Sequence, residues 1–271
     1  MTCRRYCLSY FPEWPSLDAK STETLLIMLE KDVPNLLYCS KCAIVHTWRL
    51  YRYSNVDYMS GVYLSRSCRH ASAFHTPNFR ESIQYQSARL AMNYHLYGPT
   101  HGFPLNMLEK DGERRDDKTN MVVKSTQQAR IVDDELILRI SRKVHNPNGS
   151  MKRLESFLRD DNDQKICRHH TIWNAPQRSS TDPAASASPA PVVDDGSPAP
   201  LSLPPFLANF PLGVVFSCPA CLVDVQVKAS WYGTTERWSV TIDTWTQLGA
   251  CRSVDDPKWK SSQSGGAFPS S

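Results

Sequence analysis

The sequence predicts an α+β fold: a mixed or antiparallel sheet with a few flanking helices, interrupted by a disordered Pro/Ala/Ser linker. Three observations carry this expectation. Residues 36–53, 121–145 and 213–248 are rich in β-branched and aromatic residues and alternate over strand-like lengths. Residues 21–32, 80–96 and 150–159 place apolar side chains at helical spacing. Residues 174–211 hold nine of the nineteen prolines, mixed with Ala and Ser, a composition that cannot bury a core.

The first helix, 21–32, aligns Leu25, Leu26 and Leu29 on one face, with Ser21 as its cap and Pro34 as its stop. Strands follow on either side of the turn in "LLYCSKCAIVHTWRLYRY", and residues 54–78 show no clear period. The second helix, 80–96, gathers Ile83, Ser87, Leu90, Ala91 and Tyr94 and stops at Gly98–Pro99. A polar, charged loop is expected at 109–120. Residues 121–145 then read as two strands turning at Asp133–Asp134, or as one long strand. Ser150 caps a short helix to residue 159, and a β-meander with a hairpin at "YGTTERW" occupies 213–248. The domain expected from this is 1–173 together with 212–259, with 174–211 as a disordered insertion and 260–271 as a disordered tail.

The chain has 271 residues, 41% hydrophobic and 21% charged, enough to bury a core without disulfides. Thirty-one basic against 27 acidic side chains leave +4, too mild to argue for nucleic acid or a membrane surface. "MTCRRYCLSYFPEWP" has no apolar run behind its basic residues, so no export signal is expected, and no apolar run is long enough for a bilayer. A cytoplasmic or nuclear location follows, where thiols stay reduced. Among the nine cysteines, those that occur in pairs are then better read as metal ligands than as disulfides.

"YCSKC" and "SCPAC" both have C-x2-C spacing. Such a turn puts two sulfurs on one side of a knuckle, and two of them complete a tetrahedral four-cysteine zinc site. The expected structural zinc ligands are therefore Cys39, Cys42, Cys218 and Cys221. Three alternates compete: His46, beside the first pair, and Cys167 and His169 in "ICRHH". Cys251, one strand after Cys221, competes as well. With four protein ligands the metal has no open position, which makes it structural rather than catalytic.

Weaker constellations are read as packing or solvated surface. Asp133, Asp134 and Glu135 suit an exposed turn better than acid–base work. His95 and His101 suit a helix end, and Cys68, His70 and His75 share a loop. "WRLYRY" has the basic and aromatic character that stacks on single-stranded nucleic acid, but also that of an exposed strand. Trp231, Trp238, Trp245 and Trp259 read as core around the second knuckle. Phosphate loops, dinucleotide fingerprints and nucleophile elbows are absent.

The phrases "TCRRY", "LLIMLEKDVPNLLYCSKCAIVHTW", "SARLAMNYHLYGPTHGFPL", "ARIVDDELILRIS", "ICRHH" and "WSVTIDTWTQLGACRS" together resemble an uncharacterised family of filamentous-fungal proteins, many of which begin with an F-box. The family's cysteine pattern matches Cys39, Cys42, Cys218 and Cys221. The resemblance implies no enzymatic activity. It implies a protein-interaction module, the body of an F-box-like protein, with a substrate-recognition role in ubiquitin ligation. "TCRRY", Thr2 to Tyr6, is similar to the end of an F-box, so the chain as written is expected not to dock the ligase adaptor. The competing expectations are a zinc-binding, nucleic-acid-associated protein and a metal-dependent hydrolase built on His95, His101 and Asp133.

Overall fold

The computed structural model describes residues 18–40, 42–52, 59–64, 73–75, 82–160, 166–167, 169–172, 192–193, 203–208, 210, 212–218, 220–232 and 237–263. Helix α1 (Ala19–Asp32) starts at Asp18, whose carboxylate accepts the Ser21 N–H at 2.9 Å, so the cap lies three residues before Ser21. Strands β1 (Leu36–Cys39), β2 (Ile44–Arg52) and β3 (Met59–Leu64) form a three-stranded antiparallel sheet. A short ladder joins β4 (Ala73–His75) to β5 (Ser82–Gln84), and α2 (Tyr85–Tyr97) follows at once. The helix expected from residue 80 thus begins at Tyr85. Ile83, counted on its apolar face, is a buried strand residue instead.

The main sheet is built from β6 (Lys110–Asp116), β7 (Met121–Val132), β8 (Glu135–His145), β10 (Val215–Cys218), β11 (Val223–Tyr232) and β12 (Arg237–Gly249) in the order β10-β11-β12-β8-β7-β6. Every pairing along this path is antiparallel, while β9 (Val192–Val193) adds a parallel pair to β11. Helices α3 (Met151–Arg159), α4 (Pro205–Ala208) and α5 (Pro257–Gln263) complete the chain. The architecture is α+β, with antiparallel sheets and few helices. No helix among the described residues is long and apolar enough to cross a membrane.

Asp133 and Asp134 have φ of 50° and 58° and close the β7–β8 hairpin, so the region is two strands. Strand β6 occupies the expected loop at 109–120. It lies at the sheet edge with its central residues exposed, so no alternation marks it, and its charges are those of a protected edge.

One face of the sheet is buried. Leu136, Leu138, Ile140, Arg142 and Val144 of β8 all point into it. Two hydrophobic clusters lie along that face. At one end Val144, Val225 and Ile242 meet Leu154, Phe157 and Leu158 of α3. At the other, Leu136, Leu138 and Leu248 meet α2, Trp48 and Trp259. Two expectations are corrected here. Phe206, Leu207 and Phe210 fall within the expected linker but are buried in the first cluster, where their apolar bulk has a place to pack. The expected tail begins inside α5, whose Trp259 is 0% exposed and stacks edge-on against Tyr85 at 5.2 Å. Of the expected linker only 192–193, 203–208 and 210 are described; its other residues, the "TCRRY" stretch, the tip of the "YGTTERW" hairpin and residues 264–271 lie outside the described residues.

Behind α2 the returning chain passes so close that only glycine fits. A Cβ on Gly102 would lie 1.8 Å from the Leu90 carbonyl oxygen and 2.7 Å from the Tyr94 nitrogen. Backbone cannot yield as a flexible side chain does, so Gly102→Ala is expected to cost about 3 kcal/mol. Urea unfolding measures it, and a variant as stable as the parent would refute the close approach.

Candidate metal centre

Strand β10 ends at Cys218, and its Cα pairs with Val223 where β11 begins. The chain between them folds tightly. The Cys221 N–H donates to the Cys218 carbonyl at 3.2 Å, and Leu222 takes a left-handed φ of 51°. This turn brings both sulfurs to one side. After α3, a second turn forms as the Ile166 and Cys167 N–H groups donate to the His170 carbonyl at 3.0 and 3.2 Å. It presents Cys167 and His169 to the knuckle. His169 Nδ1 lies 2.9 Å from Cys221 Sγ and 3.5 Å from Cys218 Sγ. The donor atoms of Cys167, His169, Cys218 and Cys221 all lie within 4.8 Å of one another.

Three sulfurs and one imidazole nitrogen at these separations have the donor set and spacing to hold a metal ion. Tetrahedral zinc bonded to thiolate and imidazole has edges of about 3.5–3.8 Å. The three cysteines are buried, while His169 is exposed and closes the outer side. Burial opposes the Cys218 thiolate. The N–H groups of Cys221 and Ala220 and the Cys167 and Cys221 thiols outweigh it, so the Cys218 pKa is lowered. For Cys221, burial and the neighbouring sulfurs of Cys167 and Cys218 push the pKa up to about 12. Cys167 is also raised, by burial first, against N–H groups of His169 and His170 directed at its sulfur. The cluster stabilises one thiolate and resists three, an imbalance that a cation at its centre removes.

The expected set Cys39, Cys42, Cys218 and Cys221 is not one group in the structure. Cys39 and Cys42 sit on the three-stranded sheet and share their donor cluster with His46, while Cys218 and Cys221 share theirs with Cys167 and His169. The reason is local. Each C-x2-C turn is fixed by its own hairpin, and the hairpins belong to different sheets. All three alternates are therefore ligand candidates. The spacing Cys39-x2-Cys42-x3-His46 signals a self-contained group, and the C-x-H of Cys167 and His169 is a half-site that needs the second knuckle. Cys251 is not in either group. It is buried in the other hydrophobic cluster, and burial raises its thiol pKa.

The remaining candidates scatter. His95 Nε2 pairs with Asp134 Oδ1 at 2.9 Å on the surface, Glu135 pairs with Lys258, and His101 packs edge-on against Tyr97. Among the described residues His95, His101 and Asp133 do not form a metal-ligand group, as a hydrolase would require. Cys68 and His70 lie outside the described residues, and His75 falls on β4. Trp48 opens "WRLYRY" but is buried. Trp231 and Trp238 pair at 5.4 Å in the cluster beside the knuckle, whereas Trp245 lies on the opposite sheet face, under Arg139 at 5.8 Å. Comparison with family models, with curated proteins and with solved structures finds no match.

Proposed function

We propose that this chain is a non-enzymatic protein-interaction module, the body of an F-box-like protein. In this reading a structural zinc ion at Cys167, His169, Cys218 and Cys221 holds its sheet, and its role is substrate recognition in ubiquitin ligation. The observation that carries the reading is the four-donor set. A tetrahedral ion bound by four protein ligands keeps no position for water or substrate, so its contribution is to folding. Three thiolates and an imidazole favour zinc over harder cations.

One observation favours a second reading, nucleic-acid association. On the outward face of the sheet Lys124, Lys143, Thr241 and Lys228 lie side by side in one cross-strand row. The Arg237 guanidinium lies 5.4 Å from the Tyr232 ring on the same face. Lys124 pairs with Glu113 at 3.1 Å and Lys228 with Asp243 at 3.2 Å, so a nucleic-acid phosphate would compete with carboxylates already beside the row.

The test is proximity labelling of the full chain in its native cells, alongside a Cys218→Ser variant and assays of the purified protein. Protein neighbours that are enriched by the parent and lost by the variant support the interaction module. Zinc-dependent turnover of ester, phosphoester or peptide substrates would overturn it. Salt-dependent binding to a single-stranded oligonucleotide, reduced by Lys143→Ala, would favour the second reading.

A further inference from the structure

We propose that Cys39, Cys42 and His46 form a second zinc centre, separate from the first and fixed to the three-stranded sheet. Their three donor atoms lie within 4.8 Å of one another. His46 is 1% exposed, and the two cysteines are half-buried.

The backbone makes the stronger argument, because the first knuckle is repeated here. In both hairpins the first cysteine ends a strand and pairs with the residue five positions on: Cys39 with Ile44, Cys218 with Val223. In both, the second cysteine lies in the turn. In both, the residue after it is left-handed without being glycine: Ala43 at φ 50° and Leu222 at φ 51°. That conformation costs a non-glycine residue on the order of 1–2 kcal/mol. The plain β7–β8 hairpin also turns through left-handed residues, Asp133 and Asp134, but only two residues separate its last paired positions, whereas four separate Cys39 from Ile44 and Cys218 from Val223. What the longer turn achieves is to set two sulfurs side by side. Two unrelated stretches of sequence adopt it, each with C-x2-C at the same register, and one of them is half of a four-donor cluster.

The third donor is placed by strand geometry. Leu37 pairs with His46 across β1 and β2, and Cys39 is two residues along from Leu37 on the same strand face. His46 is therefore the diagonal neighbour of Cys39, within side-chain reach. The β2 position it occupies lies two residues before buried Trp48, facing the core. The two centres differ in donor set: three sulfurs and a nitrogen in the first, two sulfurs and a nitrogen among the described residues in the second. The second is the more labile of the two, and it stands whether or not the first binds metal.

Elemental mass spectrometry of the purified full chain tests this, with two double variants beside the parent. The expected result is two zinc ions per chain. Cys39→Ser/Cys42→Ser and Cys218→Ser/Cys221→Ser are each expected to retain one. A zinc indicator dye should withdraw the two ions in separate phases, and the Cys39→Ser/Cys42→Ser variant should lack the faster phase. Should that variant not fold, cobalt titration of the parent decides. Two steps with sulfur-to-cobalt charge-transfer intensities near 3:2 support the second centre, and a single step of three-sulfur intensity overturns it. A single zinc in the parent that is retained without Cys39 and Cys42, two zinc ions retained by that variant, or a Cys39–Cys42 disulfide in the freshly purified protein would also overturn it. Zinc that is lost with Cys39 and Cys42 but unchanged by the Cys218 and Cys221 substitutions would remove the first centre and leave the second standing.

Discussion

Cys218→Ser/Cys221→Ser is expected to leave the chain without a stable β10–β11–β12 unit. The argument is one of magnitudes. A structural zinc ion contributes an apparent free energy of about 10–16 kcal/mol, while a whole domain is stable by only about 5–15 kcal/mol. The site joins a turn after α3 to a hairpin 52 residues further along, counted from His169 to Cys221. Closing such a loop costs about 3.5 kcal/mol beyond a constant term, far less than the metal returns. The variant should melt tens of degrees lower, or give no cooperative transition by circular dichroism. The chelated parent should behave alike, and an unchanged transition in both would show that the sheet does not depend on the metal.

The pH response should reverse sign with metal content. With metal bound, protons compete for the thiolates, so stability is present at neutral pH and lost on acidification. Without it, burial and neighbouring sulfurs hold the Cys221 pKa at about 12. An unfolded cysteine titrates near about 8.5. A folded pKa above the unfolded one contributes stability that is complete below about 8.5 and lost as the pH rises through about 12. The metal-free chain should therefore lose stability in alkali, the opposite of the metal-bound chain.

The strand blocks were legible because one face of the sheet is buried. Alternation through Val240 and Ile242, and the acidic turn at Asp133–Asp134, are direct consequences. Strand β6 was not, because an exposed edge strand has no apolar face to report. Helix α5 was hidden for another reason. It is seven residues long among lysines and serines, and one side chain, Trp259, supplies its burial. The candidate ligand residues were legible as types and spacings, since C-x2-C, C-x-H and the nearby His46 all stand in the sequence. Their grouping was not. It depends on which hairpin enters which sheet, and β10–β11 reaches Cys167 only across a stretch whose composition reads as linker. Phe206 and Phe210 in that stretch are the residues that mark its end.

The other large effect is expected at Glu30, a residue that sequence periodicity does not single out. Glu30 and Arg89 have side chains only 2% exposed, and they pair at the contact of α1 with α2. Arg89 Nε donates to Glu30 Oε1 at 2.8 Å, a second bond joins Arg89 Nη2 to Glu30 Oε2, and Asn93 Nδ2 adds a third at 2.9 Å. Arg89 Nη1 also donates to the Tyr85 hydroxyl at 3.0 Å, and that hydroxyl donates to the Cys251 carbonyl at 2.9 Å. The network ties α1, α2 and the segment after β12 together. Glu30→Ala removes the carboxylate and strands the guanidinium in the core, which should cost about 3–5 kcal/mol. The pair need not itself be stabilising, since burying two charges costs about as much as their attraction returns. Glu30→Leu/Arg89→Met should therefore recover part of the loss, limited by the Tyr85 hydroxyl and the Asn93 amide left behind. Urea unfolding followed by tryptophan fluorescence measures all three proteins. A Glu30→Ala variant within about 0.5 kcal/mol of the parent would mean that water reaches Arg89 and that the α1–α2 contact is not the closed junction described. A double variant no better than Glu30→Ala would instead assign the energy to the Tyr85 and Asn93 hydrogen bonds rather than to an uncompensated charge.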